Sequence, residues 1–196
     1  MNSLREVLRP TREDSDLVSV IRADLKNIQH ARWTVSLLDE FAEDPMGIGR
    51  PLSPAVRRNL IRGMRTTRWS LVLIALLKGN PVGIIVCMRG FSTFQARPVV
   101  NIHDLFVRER HRGCGIGGHL LREVHKRAVR IGACKITLEV REDNKAARAL
   151  YRQAGFEGAE ASEDARRTLF LERPLKRRRR RPKVLALPEP SEGDED

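Results

Sequence analysis

The spacing of apolar residues predicts helices in the first third of the chain. Five of them recur at helical spacing, at intervals that place them on one helix face: Leu17, Val20, Ile21, Leu25 and Ile28. This spacing favours a helix over residues 12–29, and a second, shorter helix is expected over residues 34–41. Ser53 followed by Pro54 is a favourable start for a third helix, over residues 54–64.

The middle of the chain has the alternation and the apolar runs of a sheet. Residues 69–77 and 82–88 predict two antiparallel strands joined by a turn at residues 78–81. Residues 90–98 predict a loop that contains two phenylalanines, and residues 99–107 predict a third strand. No apolar run reaches the length of a membrane-spanning helix, so we expect no membrane span.

Helix and strand patterns alternate in the second half. One face of a predicted helix carries Ile116, Leu120, Leu121, Val124 and Ala128. A strand over residues 134–140 and a helix over residues 144–153 follow it. We expect further short strands at residues 7–8, near residue 156 and at residues 168–171. From residue 175 a block of arginines and then acidic residues cannot form a core, which predicts a domain over 1–174 and a disordered tail over 175–196.

The chain carries a formal net charge of +12, most of it outside that tail. A basic body favours anionic ligands in general, including coenzymes with several phosphates and nucleic acid. The run Lys176–Lys183 admits three interpretations: contact with nucleic acid or an anionic surface, a localisation signal, or a solubilising tail. No aromatic residue is interleaved with it, which weakens the case for base stacking. The solubilising tail is the default interpretation, and if nucleic acid contacts the chain we expect it to do so only through this run.

Cysteine usage and the first residues bear on the compartment. Cys87, Cys114 and Cys134 lack the spacing of a metal site, and an odd number of thiols cannot all pair. The N-terminus lacks the apolar segment of a signal peptide. We therefore expect a cytoplasmic protein with reduced thiols and no metal.

A glycine-rich turn lies between the strand 99–107 and the helix that follows. Gly113-Cys-Gly-Ile-Gly-Gly118 lets the backbone approach an anion at a helix N-terminus, where the helix dipole favours negative charge. The pattern also fits a dinucleotide-binding turn, with Glu139 at the end of the next strand as the acidic residue. Two features count against that interpretation. Five charged residues, 108–112, separate the strand from the first glycine, and only about one full βαβ crossover is present.

A longer pattern favours a different coenzyme. Arg112-Gly-Cys-Gly-Ile-Gly117 is followed at residues 144–156 by Asn-Lys-Ala-Ala-Arg-Ala-Leu-Tyr-Arg-Gln-Ala-Gly-Phe. With both blocks, the chain resembles the GNAT superfamily of N-acetyltransferases, whose pyrophosphate loop reads Arg-x-x-Gly-x-Gly and whose later helix reads Asn-x-x-Ala-x-x-Leu-Tyr-x-x-x-Gly-Phe. The resemblance implies an α/β fold, a central mixed sheet with helices on both faces. It also implies acetyl-CoA as co-substrate and a primary amine as acceptor.

The resemblance also implies which residues contact acetyl-CoA. Backbone groups of the strand would pair with the pantetheine arm: Leu105, Phe106 and Val107. Backbone amides of the loop would hold the pyrophosphate: Arg112, Gly113, Cys114, Gly115, Ile116, Gly117 and Gly118. Asn144, Ala147 and Tyr151 would line the far side of the coenzyme. Tyr151 would also be the general acid, since the pKa of a phenol is close to that of a thiol. The alternative is a core tyrosine packed beside Phe156.

His103 is the candidate general base. The segment 101–107, Asn-Ile-His-Asp-Leu-Phe-Val, resembles the diamine (spermidine/spermine) acetyltransferase branch, in which a glutamate stands at the position of His103. An imidazole titrates near neutrality and can take a proton from an ammonium group. A structural histidine on a sheet is the alternative. We expect Asp104 to point to the other face of the sheet and to form structural hydrogen bonds.

The sequence says less about the amine acceptor than about the coenzyme. Acidic residues cluster between the first two helices of the fold: Asp39, Glu40, Glu43 and Asp44. They would attract a cationic amine, although a solvated helix face explains them equally well. We assign the acceptor site to Asp39, Glu40, Phe94 and Glu139. A small-molecule amine, a polyamine-like amine and a peptide amine all stay open, as does a homodimer. The alternative function is a nucleic-acid-associated protein that binds acetyl-CoA with little catalysis.

Overall fold

The computed structural model describes residues 17–67 and 69–157. The strands are β1 Val18–Arg22, β2 Ser70–Leu77, β3 Asn80–Ser92, β4 Arg97–Val107 and β5 Lys135–Leu138. The helices are α1 Ile28–Glu43, α2 Pro54–Thr66, α3 Ile116–Arg130 and α4 Lys145–Gln153. Within these residues no helix is both long and apolar enough to cross a membrane.

The five strands form one mixed sheet in the order β1-β2-β3-β4-β5. The first four pair antiparallel, and β4 pairs parallel with β5. The parallel pair is connected through α3, because a parallel connection must cross from one end of the sheet to the other. The C-terminal ends of β4 and β5 therefore lie at the same end of the sheet, together with the glycine turn.

Helices cover both faces of the sheet, as expected. Leu37 and Leu38 of α1 and Met64 of α2 pack on one face, against Ile74 and Ile84. The other face is covered mainly by α3, through Ile116, Leu120, Leu121, Val124 and Ala128. Leu120 is completely excluded from solvent, and burying a leucine side chain fully contributes about 2 kcal/mol. The predicted mixed sheet with two helical layers is confirmed.

The predicted helix over residues 12–29 is wrong within the described residues. Val18–Arg22 is a strand that pairs with β2, and the helix begins only at Ile28. The apolar spacing there fits a helix, but β-branched valines and an isoleucine also suit a strand, and pairing with β2 decides. The start of α1 is fixed by Asn27, whose Oδ1 accepts hydrogen bonds from the N–H groups of Gln29 and His30.

Most other elements lie close to their predicted places. Ser53 caps α2 as expected, accepting a hydrogen bond from the N–H of Val56. The predicted helix over residues 34–41 is the C-terminal part of the longer α1. The predicted loop over residues 90–98 is shorter than expected, because β3 continues to Ser92 and β4 begins at Arg97. The strands predicted at residues 7–8 and 168–171, and the tail, lie outside the described residues.

Candidate active site

The strands β4 and β5 pair along only part of β4. Their register runs from Val99 opposite Lys135 to Ile102 opposite Leu138, and β4 then continues five residues further. On its other side β4 stays paired with β3 to Val107, opposite Gly83. On the β5 side the described pairing ends at Ile102. The backbone of residues 105–107 therefore faces an opening between two parallel strands.

A β-bulge lies where the two strands part. Ile102 is opposite Cys87 and Asp104 is opposite Val86, so His103 is an extra residue without a partner in β3. Such a bulge shifts the alternation of side chains along the strand. Ile102 packs on the α3 side, and after the bulge Phe106 packs on the α1 side. His103 itself is exposed.

The glycine turn has the backbone geometry of an anion cradle. Gly113 and Gly115 have positive φ angles of 80° and 77°, in the region that favours glycine. Gly115 is the N-cap of α3 and carries no side chain that could cap the helix. The first N–H groups of α3 lack intrahelical partners, as in every α-helix, and can point at a ligand. A side chain at residue 113 or 115 would require a strained backbone.

Two further glycines bring the neighbouring elements close to this turn. A Cβ atom on Gly83 of β3 would lie 3.0 Å from the backbone oxygen of Phe106 and 3.4 Å from Ile116. A Cβ atom on Gly117 would lie 2.7 Å from the side chain of Leu150 in α4. The N-terminus of α3 therefore packs tightly against both β3 and α4. This packing fits a phosphate group held at the helix start, with α4 beside it.

Helix α4 presents the second block of predicted residues. Asn144 is its N-cap, and the Oδ1 atom accepts a hydrogen bond from the N–H of Ala147 at 3.1 Å. Tyr151 lies one turn further along and packs edge-on against Phe156, with 5.8 Å between ring centroids. Burial raises the pKa of Tyr151 to about 12. The phenol therefore keeps its proton throughout the neutral range.

Asp104 differs from its exposed neighbour His103. The carboxyl group is half-buried, and burial raises its pKa while the nearby His103 lowers it. Burial likewise raises the pKa of Cys87 to about 12, with a smaller contribution from the charge of Asp104. A thiol with so high a pKa is not a reactive nucleophile. The titratable groups at the bulge are therefore His103 and Asp104.

Two acidic residues of α1 form ion pairs with arginines. Asp39 accepts hydrogen bonds from the N–H of Leu52 at 2.8 Å and forms an ion pair with Arg57 at 2.9 Å. Glu40 accepts two hydrogen bonds from Arg108, at 2.6 and 2.8 Å. Burial alone would raise the pKa of Glu40, but these bonds, one from Ser36 and the charge of Arg108 lower it overall. Asp39 and Glu40, two of the three carboxylates predicted for the acceptor, are thus already paired with cations.

Arg112, the first residue of the Arg-x-x-Gly-x-Gly pattern, also forms an ion pair with an acidic residue. Its Nε donates to the backbone oxygen of Val107 at 2.9 Å, and its guanidinium group forms an ion pair with Asp44 at the end of α1. The pKa of Asp44 is lowered because the bonds from Arg112 and from the N–H of Met46 outweigh the effect of burial. The guanidinium group also lies 5.6 Å from the ring centre of Phe106.

An open cavity of about 660 Å³ lies between these ion pairs. Its lining includes four acidic residues and three arginines: Glu40, Glu43, Asp44, Glu109, Arg108, Arg110 and Arg112. His111 is buried beside it, and its Nε2 accepts a hydrogen bond from Arg110 at 3.1 Å. Burial and the charges of Arg110 and Arg108 lower the pKa of His111, so the ring is neutral. The cavity is therefore nearly balanced in charge, although the chain as a whole is basic.

The predicted site residues do not all lie together. Residues 105–107, the glycine turn and the start of α4 lie at one end of the sheet, and Glu139 is exposed just beyond β5 at that end. Phe94 lies in the turn between β3 and β4, at the opposite end, fully exposed. At about 3.3 Å per residue, the length of β4 separates it from the glycine turn by about 33 Å. Phe94 therefore does not join the other candidates.

Sequence reasoning missed the cations that hold the acidic residues. Arg108 also donates to the backbone oxygen of Pro81 at 2.6 Å, so it joins α1, β3 and β4. Arg108 and Glu40 are 68 positions apart. No local pattern signals such a pair.

The fold and the site define an α/β protein with a glycine-rich turn at a helix start, beside a partly opened parallel strand pair. Residues 32–156 match the Acetyltransferase (GNAT) family. Since this match covers more than half of the chain, the protein belongs to the GNAT acetyltransferase family.

Individual relatives agree with this assignment. An uncharacterized N-acetyltransferase, YhfO of Bacillus subtilis (strain 168), is 35% identical over 88 residues, 45% of this chain and 59% of that protein. N-alpha-acetyltransferase MAK3 of Arabidopsis thaliana is 36% identical over 86 residues, 44% of each chain. The curated relatives are matched over only 38% to 60% of their own length.

A solved structure shows the same fold. The aminoglycoside acetyltransferase meta-AAC0020, from an uncultured soil metagenomic sample and in complex with sisomicin, superposes with a TM-score of 0.65. The superposition covers 82% of this chain and 98% of that one, at 16% identity. At this identity the likeness concerns the fold.

Proposed function

We propose that this protein is an N-acetyltransferase that moves an acetyl group from acetyl-CoA to a primary amine. The observation that carries the proposal is the opening between β4 and β5 beside an uncapped helix start with two positive-φ glycines. Acetyl-CoA supplies the acetyl thioester. The amides at the start of α3 bind its pyrophosphate, and the exposed edge of residues 105–107 orients the pantetheine arm.

Tyr151 is the general acid in this proposal. At neutral pH the phenol is protonated, so Oη can donate a proton to the departing thiolate. The pKa of about 12 is above that of a thiol, which lowers the driving force for this transfer. The contact between Gly117 and Leu150 supports this role, because it holds α4 against the turn that binds the coenzyme. Asn144 and Ala147 begin the same helix and border the coenzyme.

His103 is the proposed general base. It is exposed at the bulge, where the two strands begin to part, so an amine that approaches the opening can reach it. Proton removal from the ammonium group is required before the nitrogen can attack. Asp104, next to it and half-buried, stabilises the protonated imidazole through its charge.

The cavity of about 660 Å³ is the proposed acceptor site. Because Glu40 and Asp44 are paired with arginines, the cavity offers little excess negative charge. This balance favours an acceptor with one amine, such as a peptide N-terminus, over a polyamine with several. MAK3, by its name, acts on α-amines, which agrees with this choice.

The test is thiol release by the full chain with acetyl-CoA and a panel of amines: a peptide with a free N-terminus, an aminoglycoside and spermidine. We expect turnover to be highest with the peptide. Tyr151→Phe should lower kcat by about 100-fold while the Kd for CoA stays within about twofold. His103→Ala should remove the acidic limb of the pH–rate profile.

The control is Phe156→Leu, which disturbs the packing around Tyr151 but keeps the phenol. It should retain most of the turnover. No thiol release with any amine would refute acetyl transfer to these acceptors. Unchanged kcat in Tyr151→Phe would remove Tyr151 as the acid, and an unchanged acidic limb would remove His103 as the base.

A further inference from the structure

The end of the sheet opposite the glycine turn forms a second distinctive surface. The strand register brings together the C-terminal ends of β1 and β3 with the N-terminal ends of β2, β4 and β5. We call this end the distal surface and define it by Arg22, Lys26, Arg65, Trp69, Arg89, Phe91, Phe94 and Arg97. It has no part in the proposed acetyl transfer.

Three of its cations surround a cavity. Arg22, Lys26 and Arg65 line a recess of about 490 Å³ between the end of β1 and the end of α2. One acidic residue, Asp24, also lines it, and the carboxylate of Asp24 accepts a hydrogen bond from the N–H of Lys26. The recess therefore has an excess of positive charge and room for an anionic group.

Two arginines extend the positive charge across the sheet. The guanidinium group of Arg89 lies 4.4 Å from the ring centre of Trp69. Arg97 donates hydrogen bonds to the backbone oxygens of Gly132 and Ala133, which leaves its charge uncompensated. Over residues 17–67 and 69–157, none of the five cations of the distal surface forms an ion pair with a carboxylate.

Exposed aromatic rings lie at the same end of the sheet, beside Arg89. Trp69 is 52% exposed, Phe91 is 65% exposed and Phe94 is fully exposed. Trp69 is next to Arg89 across β2 and β3, where the N–H of Arg89 donates to the oxygen of Trp69. Phe91 follows Arg89 by two positions in β3, so both side chains point to the same face. Burial in this fold accounts for little of the surface of these rings, so they are accessible to a ligand.

We propose that the distal surface binds single-stranded nucleic acid. The three rings stack on bases and the five cations contact phosphates, the combination that sequence-tolerant single-strand binding uses. Unpaired cations are required because phosphate neutralisation supplies most of the affinity. An anionic membrane or an acidic protein would also satisfy the cations. The rings favour nucleic acid, because every base offers a face on which an aromatic ring can stack.

The test measures binding of a fluorescently labelled uridine oligonucleotide of about 12 nucleotides to the full chain by anisotropy. To separate the distal surface from the tail, the background variant has the seven cations of residues 176–183 changed to glutamine. We expect this background to bind with a Kd below about 100 µM at physiological salt. The ratio of its affinities for the oligonucleotide and for heparin, a polyanion without bases, is measured in parallel.

Two sets of variants assign the contacts. Replacing Arg22, Lys26 and Arg65 by glutamine should make the slope of log K against log salt less steep by about 2, since each phosphate contact on a single strand contributes about 0.7. The charge-matched control changes Arg58, Lys78 and Lys145, which lie towards the other end of the sheet, and should alter the slope by less than half as much.

The aromatic variants test stacking. Phe94→Ala, at a position without packing to lose, should weaken oligonucleotide binding about tenfold and leave heparin binding and the salt slope unchanged. Trp69→Ala should do the same, with CoA binding as the check that the chain remains folded. Oligonucleotide binding should quench the Trp69 fluorescence, and the quenching should persist in Trp33→Phe.

Three results would overturn the proposal. The first is loss of all oligonucleotide binding when only the tail cations are removed. The second is equal weakening of heparin and oligonucleotide binding by Phe94→Ala and Trp69→Ala, or no weakening at all, which would indicate a general polyanion or membrane surface. The third is an equal change in the slope of log K against log salt in the variant of Arg22, Lys26 and Arg65 and in its charge-matched control. Acetyl transfer is measured separately, so these results do not depend on it.

Discussion

Both ends of the sheet are rich in arginine, but they use it differently. At the end with the glycine turn, Arg57, Arg108 and Arg112 each hold a carboxylate of α1. At the distal surface, Arg89 stacks on a ring and Arg97 contacts only backbone oxygens. An ion pair cancels most of its own field at a distance, whereas unpaired cations attract anions from solution. The net charge of the chain alone does not distinguish the two ends as anion-binding sites.

The difference extends to how each end would bind phosphate. The glycine turn offers backbone N–H groups, whose positions are fixed by the fold and need no side-chain charge. The distal surface offers long side chains around an open recess, which suits a flexible polyanion with many phosphates. The two proposed ligands should therefore respond to different substitutions, and the following predictions separate them in order of expected effect.

The largest effect should come from Gly115→Val. At a φ of 77° a β-branched residue is strained, and its side chain would project where the pyrophosphate is proposed to bind. We expect CoA affinity to fall by about 100-fold, measured by calorimetry, with oligonucleotide binding within about twofold of wild type. Gly79→Val is the matched control, because Gly79 has the same φ of 77° in the β2–β3 turn. If both variants lose CoA binding equally, backbone strain rather than the cradle is responsible.

A smaller effect should distinguish paired from unpaired arginines. Arg108→Gln leaves Glu40 half-buried without its cation and removes the bond to Pro81, which should lower the free energy of unfolding by about 2 kcal/mol. Arg65→Gln, at the distal surface, should change it by less than about 0.5 kcal/mol. Urea unfolding measures both. Equal destabilisation by the two substitutions would contradict the distinction between the two ends.

The smallest predicted effect is on acid stability. The pKa of Glu40 is lowered from 4.5 and that of Asp44 is lowered from 3.8. Both carboxylates therefore stabilise the fold at pH values above 4.5. This stabilisation is lost as the pH falls through the lowered pKa values. Between pH 6 and pH 3 the free energy of unfolding of the wild type should fall by about 1 kcal/mol more than that of the double variant Glu40→Gln/Asp44→Asn. The difference is this small because both carboxylates are partly exposed. Unfolding at several pH values measures this, and parallel curves would show that the pairs contribute nothing.

Local signals in the sequence predicted much of the end of the sheet that carries the glycine turn. Gly113 and Gly115 are required by backbone conformation, and Ser53 with Pro54 begins α2 where capping preferences expect it. Residues 18–22 were mispredicted because their spacing fits a helix and a strand equally, so that pairing with β2, distant in sequence, decides the outcome.

Contacts between distant residues could not be predicted in the same way. Glu40 is among acidic neighbours in the sequence, which favoured a site for cationic amines, but the fold brings Arg108 to it. Phe94 was grouped with the acceptor, whereas the long β3–β4 hairpin carries it to the distal surface. Both cases concern which residues meet, and that depends on the pairing of segments distant in sequence.

The partial pairing of β4 and β5 has a consequence for what can enter the site. An unpaired strand edge normally invites another polypeptide, but this edge lies inside a sheet, in a wedge that narrows to the ordinary separation of paired strands, about 4.8 Å, at Ile102 and Leu138. A third backbone strand between the two would need about twice that separation, so it has no room near the point of the wedge. The width of the opening therefore limits what can enter before any side chain takes part.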